Sequence, residues 1–227
     1  MGAEYHPGMG SLSASILGAD LAYLGDQVKA VEPFVDAFHI DIMDGHFVPP
    51  IALGTVVVAS LRPVTQVTLH GHLMVDAPAR YFDELSQAGL DMVSFHLEAV
   101  PEPGPAIAKA RRAGMGVGLT INMGTPVEAV TPYLEDIDDL MLMSIEPGWA
   151  GQTLNPAVFA RLEEARRRIE AAGLPVALEI DGGVKIGNAQ AAMDAGATVL
   201  IAASGIFGQP DPAGAAKQLA MIAEGAA

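Results

Sequence analysis

The sequence predicts a single (β/α)8 TIM barrel. Three observations carry that expectation. Eight short apolar runs alternate with longer amphipathic stretches. The runs are nearly continuous in apolar residues, as in parallel strands covered by helices. The length, 227 residues, suits one barrel domain with a full core. Eight such repeats favour closure over an open sheet.

The apolar runs are Leu12–Leu17, Ala37–Met43, Val67–Met74, Met92–His96, Gly116–Ile121, Leu140–Ile145, Ala177–Ile180 and Val199–Ala202. Between them, Leu21–Val31, Pro78–Ala88, Pro105–Ala113, Ala157–Ala172 and Ile186–Ala195 show helical spacing. Asn155-Pro156 reads as an N-cap followed by proline at the first helical position. Gly89, Gly114, Gly173 and Gly196 each follow a helical pattern, where a left-handed terminator is favoured. No linker or shift in composition marks a second domain. The opening segment has no apolar core of the kind a secretion signal needs. Residues 1–10 are read as a disordered leader or a cloning remnant, and the barrel is expected over 11–227.

Composition excludes several functions. The chain is 51% apolar with a mean hydropathy of +0.34, yet no apolar run approaches the ~20 residues of a membrane span. Cysteine is absent, which removes disulfides, thiolate catalysis, cysteine-zinc sites and iron–sulfur clusters, and fits a cytoplasmic protein. A formal charge of −15 repels nucleic acid and anionic membranes, so neither is an expected partner. It also repels phosphorylated substrates at long range. Any phosphate site must therefore be local, built from backbone N–H groups and helix N-termini.

Barrel active sites lie at the C-terminal ends of the strands, so polar side chains there carry the chemical signal. His39 and Asp41 lie two apart in FHIDIMDGHF and share one side of the second strand. LHGHLM places His72 at the end of the third strand, and LEIDGG places Asp181 at the end of the seventh. A lone strand histidine is ordinarily a hydrogen-bonded core residue. Two imidazoles and two carboxylates from three strand ends form a candidate site for one divalent metal, with zinc, iron(II), manganese and cobalt all compatible. Glycine-rich loops follow the last three strands: Glu146 to Gln152, Asp181 to Gly183, and Ala202 to Gly208. Each alone is weak, but glycine lets backbone N–H groups approach an anion, and late loops hold phosphate in many barrels. None of the four lysines, Lys29, Lys109, Lys185 and Lys217, lies inside a strand, which disfavours Schiff-base chemistry. Lys185 follows the DGGV segment, but a solvated lysine at a helix start is the simpler reading. Met43, Met74 and Met143 fall at strand ends, where ordinary core filling is the default.

SILGADLAYLG, HIDIMDGHFVP, HLMVDAP, FHLEA, MSIEPGWAGQ, EIDGGV and ASGIFG follow one another along the chain. In order and in content they resemble the motif series of the ribulose-phosphate 3-epimerase family, from about Ser13 to Pro210. The resemblance implies a barrel of the ribulose-phosphate-binding type. It implies a metal-dependent 3-epimerase that interconverts D-ribulose 5-phosphate and D-xylulose 5-phosphate through an enediolate, in carbohydrate metabolism by the pentose phosphate pathway. His39, Asp41, His72 and Asp181 match the family's metal ligands, and Asp41 and Asp181 match its two acid/base carboxylates. Ser15, His72, Gly148, Trp149, Ala150, Gly151, Gly182, Gly183, Ala203 and Ser204 match substrate and phosphate contacts. Met43, Met74 and Met143 match methionines around the reaction centre. The partner implied is a small ketose phosphate, and the assembly implied is a homo-oligomer, dimer or hexamer.

The chain also departs from the pattern. Ala14 to Gly18 replace Pro-Ser-Ile-Leu-Ser, Pro50 replaces an asparagine, and Met123 replaces a proline. Trp149-Ala150 replace Phe-Gly, and Ala203 replaces the glycine before Ser204. His70 replaces an aspartate on the strand face that carries His72, as an extra ligand, a partner of a ligand or a passive change. These changes leave open a six-carbon substrate such as allulose 6-phosphate. A reading of another class is a non-catalytic sugar-phosphate-binding barrel. The retained Asp41 and Asp181 favour the enzyme.

Overall fold

The structure is a computed structural model, and it describes residues 10–225. The leader expected over 1–10 lies, but for Gly10, outside the described residues.

Eight parallel strands run in chain order around the barrel. They are β1 (Ser11–Ser15), β2 (Ala37–Asp44), β3 (Thr68–Met74), β4 (Met92–His96), β5 (Gly116–Ile121), β6 (Asp139–Met143), β7 (Ala177–Asp181) and β8 (Val199–Ala202). Each pairs with the next, and β1 pairs with both β8 and β2, which closes the ring. Ile51–Ala52 folds back antiparallel on Met43–Asp44 and lengthens the mouth on that side. The helices are α1 (Leu24–Val31), α2 (Thr55–Leu61), α3 (Phe82–Gln87), α4 (Gly104–Arg112), α5 (Ala157–Ala172), α6 (Ile186–Asp194) and α7 (Pro212–Ala223). The connection from β5 to β6 is a ten-residue 3-10 helix, Val127–Asp136, with Pro132 inside it.

Differences from the sequence reading have local causes. The first run stops as a strand at Ser15, because Ile16–Gly18 turns into a 3-10 helix whose closing bond runs from the Ala19 N–H to the Ile16 carbonyl. The stretch Leu21–Val31 divides into a 3-10 turn capped by the Asp20 side chain and then α1. Helix α5 starts at Ala157, and Asn155 still caps it by accepting the Ala157 N–H at 3.0 Å. Gly89, Gly114, Gly173 and Gly196 all have positive φ. At Gly173, φ is 67°, the left-handed value that ends α5.

Strand alternation sorts the barrel into two compartments. Outward positions such as Leu12, Phe38, Ile40, Leu69, Val93, Phe95, Leu119, Leu178 and Leu200 join one apolar cluster with the helices. Inward positions carry Ser13, His39, Asp41, His70, His72, Ser94, His96, Asp139 and Glu179, all buried. The hydrophobic stabilisation therefore lies mainly between strands and helices. Truncating one of its large side chains should cost ~2–5 kcal/mol. The lumen also holds an apolar patch of Met141, Met143, Ala177, Val199 and Ile201, but its polar side chains are where the chemistry collects. No helix among the described residues is long and apolar enough to cross a membrane.

Candidate active site

The register of β2 against β3 stacks the inward side chains in levels. His39 lies beside His70, Asp41 beside His72, and Met43 beside Met74. On the far wall Met143 lies beside Asp181. The level of Asp41 and His72 brings together the four residues expected to hold a metal. His39, Asp41, His72 and Asp181 each offer a ligand atom, and these atoms all lie within 4.8 Å of one another.

Distances show convergence. His39 Nε2 stands 3.3 Å from Asp41 Oδ1 and 3.9 Å from Asp181 Oδ2. His72 Nδ1 stands 3.3 Å from Asp41 Oδ1 and 3.6 Å from Asp181 Oδ2. The two ring nitrogens are themselves 3.3 Å apart. Two imidazole nitrogens and two carboxylate oxygens aimed at one point need positive charge between them. That donor set fits a divalent ion.

The electrostatics separate the two aspartates. Burial pushes the Asp41 carboxyl up, but the facing His39 and His72 rings outweigh it and hold Asp41 well below the usual carboxylate range. Ser15 adds a hydrogen bond, its Oγ donating to Asp41 Oδ2 at 2.7 Å. Asp181 moves the other way. Its burial, aided by the charge of Asp41, raises it above the ordinary value despite the nearby histidines. Burial pulls the His39 ring down, yet Asp41 and Asp181 more than offset that, and the net direction is up. Two carboxyls of one type thus sit in environments that favour opposite protonation states.

Behind His72 runs a chain of side chains that sequence reasoning left without a role. His72 Nε2 meets His96 Nε2 at 2.9 Å, and His96 Nδ1 meets Glu98 Oε2 at 3.3 Å. Glu98 is anchored in turn by the Asn122 N–H at 2.8 Å and by the Thr125 hydroxyl. Burial raises the Glu98 carboxyl, but its partners, His96 foremost, win and lower it to about 2. Burial lowers His96 to about 4. A carboxylate bonded to the outer nitrogen of a ligand-type histidine chain fixes ring orientation and tautomer. FHLEA stood out as a motif, but the register sets Ser94 beside His72, and only the folded side chains show His96 reaching it.

Above the four residues opens a cavity of about 470 Å³. Ser15, Asp41, Met43, Met74, Met143, Gly148, Trp149, Ala150, Gly151, Asp181, Gly182, Gly183, Ala203 and Ser204 line it, which covers every substrate-contact residue expected from the sequence except His72. His72 is fully buried beneath the cavity and reaches it only through the aspartates. Leu17, Ile145, Pro147, Val184 and Ile201 complete the lining. These apolar neighbours of the motifs carried no distinguishing signal in the sequence. At Gly182, φ is 110°, and a Cβ would collide with Ile145. The Gly182 carbonyl is held by the Ser144 hydroxyl. Lys185 is exposed at the start of α6, where Asn188 Oδ1 accepts its backbone N–H at 2.8 Å, in keeping with a solvated lysine.

The loop after β6 stands over this cavity. Trp149, at the rim of the cavity, is 60% exposed. Gln152 Nε2 donates to the Glu146 and Trp149 carbonyls at 2.8 and 2.9 Å, tying the loop to itself.

Known proteins resemble this chain in sequence and in fold. A family model described as the ribulose-phosphate 3 epimerase family matches residues 11–207. The ribulose-phosphate 3-epimerase of Bacillus subtilis (strain 168) is 39% identical over 202 residues, spanning 88% of this chain and 93% of the relative. That of Mycobacterium tuberculosis (strain ATCC 25618 / H37Rv) is 38% identical over 208 residues, spanning 92% of this chain and 90% of the relative. Among solved structures, a 3-hexulose-6-phosphate synthase superposes with a TM-score of 0.72 at 23% identity, covering 93% of this chain and 99% of its own. An orotidine 5'-phosphate decarboxylase from Pyrococcus horikoshii OT3 superposes at 0.70 with 16% identity, covering 93% and 98%. These two share the fold.

Proposed function

The chain belongs to the ribulose-phosphate 3-epimerase family, and on that premise we propose that it epimerises D-ribulose 5-phosphate and D-xylulose 5-phosphate at C3. The observation that carries this reading is the pair Asp41 and Asp181. They reach one cavity from strands β2 and β7, three places apart around the barrel, with their carboxyls shifted in opposite directions.

Inverting C3 means removing the proton next to the ketone from one face and returning a proton to the other. One base cannot easily serve both faces, so one carboxyl per face is wanted. The opposite shifts favour Asp41 as the group that accepts the proton and Asp181 as the group that supplies one. Transfer leaves an enediolate, which Asp181 protonates at C3 from its own side. The pair ends with its charges exchanged and runs the reverse reaction with the roles swapped. Ser15 fixes the Asp41 carboxylate by its hydrogen bond.

His39, His72, Asp41 and Asp181 would hold one divalent ion, zinc, iron(II), manganese or cobalt. When bound, it supplies a Lewis acid for the substrate's carbonyl oxygen. Met43, Met74 and Met143 give the reaction centre an apolar, polarizable surround. Gly182, Gly183 and Ser204, on the loops after β7 and β8, hold the substrate phosphate with neutral backbone donors. Gly148, Trp149, Ala150 and Gly151 form a lid. On this reading the protein works in the cytoplasm as a homo-oligomer, dimer or hexamer.

The test is turnover of D-ribulose 5-phosphate and allulose 6-phosphate by metal-supplemented protein in D₂O. Deuterium at C3 of xylulose 5-phosphate, with kcat/KM favouring the five-carbon substrate, is expected. Product that keeps its original proton would remove the two-carboxylate mechanism. Absence of turnover on both substrates would favour a binding protein.

A further inference from the structure

His70 does not join the four residues at the cavity. It points one level down, toward Asp139 of β6 and Glu179 of β7. All three are fully buried, and none lines the cavity. The His70 and His39 rings stand 5.7 Å apart, so this is a separate cluster that shares no residue with the one above it.

Ser94 sets the orientation of the His70 ring. Its Oγ donates to Asp139 Oδ1 at 2.8 Å and lies 2.7 Å from His70 Nε2. With its one proton directed at Asp139, Ser94 accepts from His70, so Nε2 carries the ring hydrogen. Nδ1 then presents a lone pair. It has no hydrogen-bond partner and stands 3.7 Å from Glu179 Oε2. Asp139 Oδ2 lies 3.9 Å from the other ring nitrogen. A hydrogen bond would draw nitrogen and oxygen to about 3 Å. Two donors on one ion, each with a bond of about 2.1 Å at tetrahedral angles, stand roughly 3.4 Å apart. The spacing at Nδ1 is closer to the second arrangement. Space for the Asp139 carboxylate comes from Gly118 on β5, where a Cβ would collide with it.

We propose that His70, Asp139 and Glu179 form a second metal site, sealed in the barrel one level beneath the first. One imidazole and two carboxylates make the mixed set that takes zinc, manganese or cobalt. A divalent ion would balance two buried carboxylates charge for charge. Because His70, Asp139 and Glu179 are fully buried, the ion enters as the chain folds and leaves slowly.

The probe is zinc. Protein purified from zinc-supplemented growth and desalted is analysed for metal per chain. Two ions are expected. A brief native treatment with EDTA should remove one, and the other should leave only after unfolding in guanidinium. Glu179→Gln and His70→Gln should each drop the total from two to one by deleting the resistant ion. His39→Gln should instead delete the exchangeable one. Wild-type protein that holds no EDTA-resistant ion overturns the proposal without recourse to any variant, and so does a resistant ion that both Glu179→Gln and His70→Gln retain. Loss of the exchangeable ion alone would count against the upper site and leave this one standing.

Discussion

Strand β3 carries His70 and His72 two residues apart, and β7 carries Glu179 and Asp181 with the same spacing. Each strand therefore feeds one side chain into each of two polar levels. The upper level meets a cavity of about 470 Å³, and the lower is sealed. A shift of two residues, roughly 6.6 Å along a strand, thus decides whether a carboxyl can exchange a proton with a substrate or only balance charge. The residue types hardly differ between the levels. In the upper one, the facing histidines outweigh burial at Asp41 and hold it low, while at Asp181 burial, aided by the charge of Asp41, prevails over them. In the lower one, burial above all drives Asp139 up to about 7. Access to the cavity, more than amino-acid identity, makes the upper level the catalytic candidate.

The sharpest way to break this contrast is to neutralise each level. Asp41→Asn and Asp181→Asn should each lower kcat by ~10²–10⁴-fold while circular dichroism stays unchanged. Near-normal turnover in either would end the assignment of the upper level.

A smaller effect is expected one step behind the upper level. Glu98→Gln removes the charge that anchors His96 and through it His72. Zinc affinity, measured by competition with a chromophoric chelator, should weaken ~10–100-fold. An unchanged affinity would leave the chain from His72 to Glu98 without a positioning role.

The levels should also differ in the sign of their pH dependence. Asp139 moves from 3.8 to about 7 on folding. Between those values the metal-free folded protein keeps a proton that the unfolded chain has released. Its contribution to stability is full at low pH and is lost as pH rises toward about 7. Asp139→Asn should flatten the fall in Tm between pH 5 and pH 8 in calorimetry of the metal-free protein. Glu98 has the opposite sign, moving from 4.5 to about 2. Its contribution is present above about 4.5 and lost as pH falls toward about 2, so the Tm penalty of Glu98→Gln should shrink on acidification. Matching slopes in the two variants would contradict the assigned directions.

The smallest signal belongs to the mouth of the upper level. Trp149 is the only tryptophan and is 60% exposed. If the loop closes over substrate, a non-reacting phosphoketose analogue should shift its emission to the blue, saturating together with inhibition. Full inhibition with unchanged emission would make the loop a preformed rim.

Much of this was legible in the sequence, because strand spacing is a strict code. Two-residue intervals put His39 with Asp41, and the turn glycines marked the ends of helices. The barrel order then placed Asp181 opposite. What stayed hidden depends on packing between strands distant in sequence. His70 and His72 share a face, and the register sets His70 beside His39, so nothing local tells which cluster each ring joins; that follows from packing across the lumen, where His70 meets Ser94, Asp139 and Glu179. The link from His96 to His72 was hidden for the same reason. Val127–Asp136 was missed because it is a 3-10 helix containing Pro132, whose period is not the one helical patterns reveal.

The main-chain grip on phosphate proposed above would also bear on how this chain tolerates heritable change. Side-chain ligands vanish with one substitution, but an amide donor survives almost any replacement of its own residue. Drift at Ala150 or Ala203 can then reshape the rim without abolishing recognition of the anion. The vulnerability is concentrated instead at a position such as Gly183, where φ is 65° and a Cβ would collide with the Leu154 backbone. Selection on this pocket should therefore fall on a few small residues that contribute no functional group, while chemically richer neighbours are free to vary.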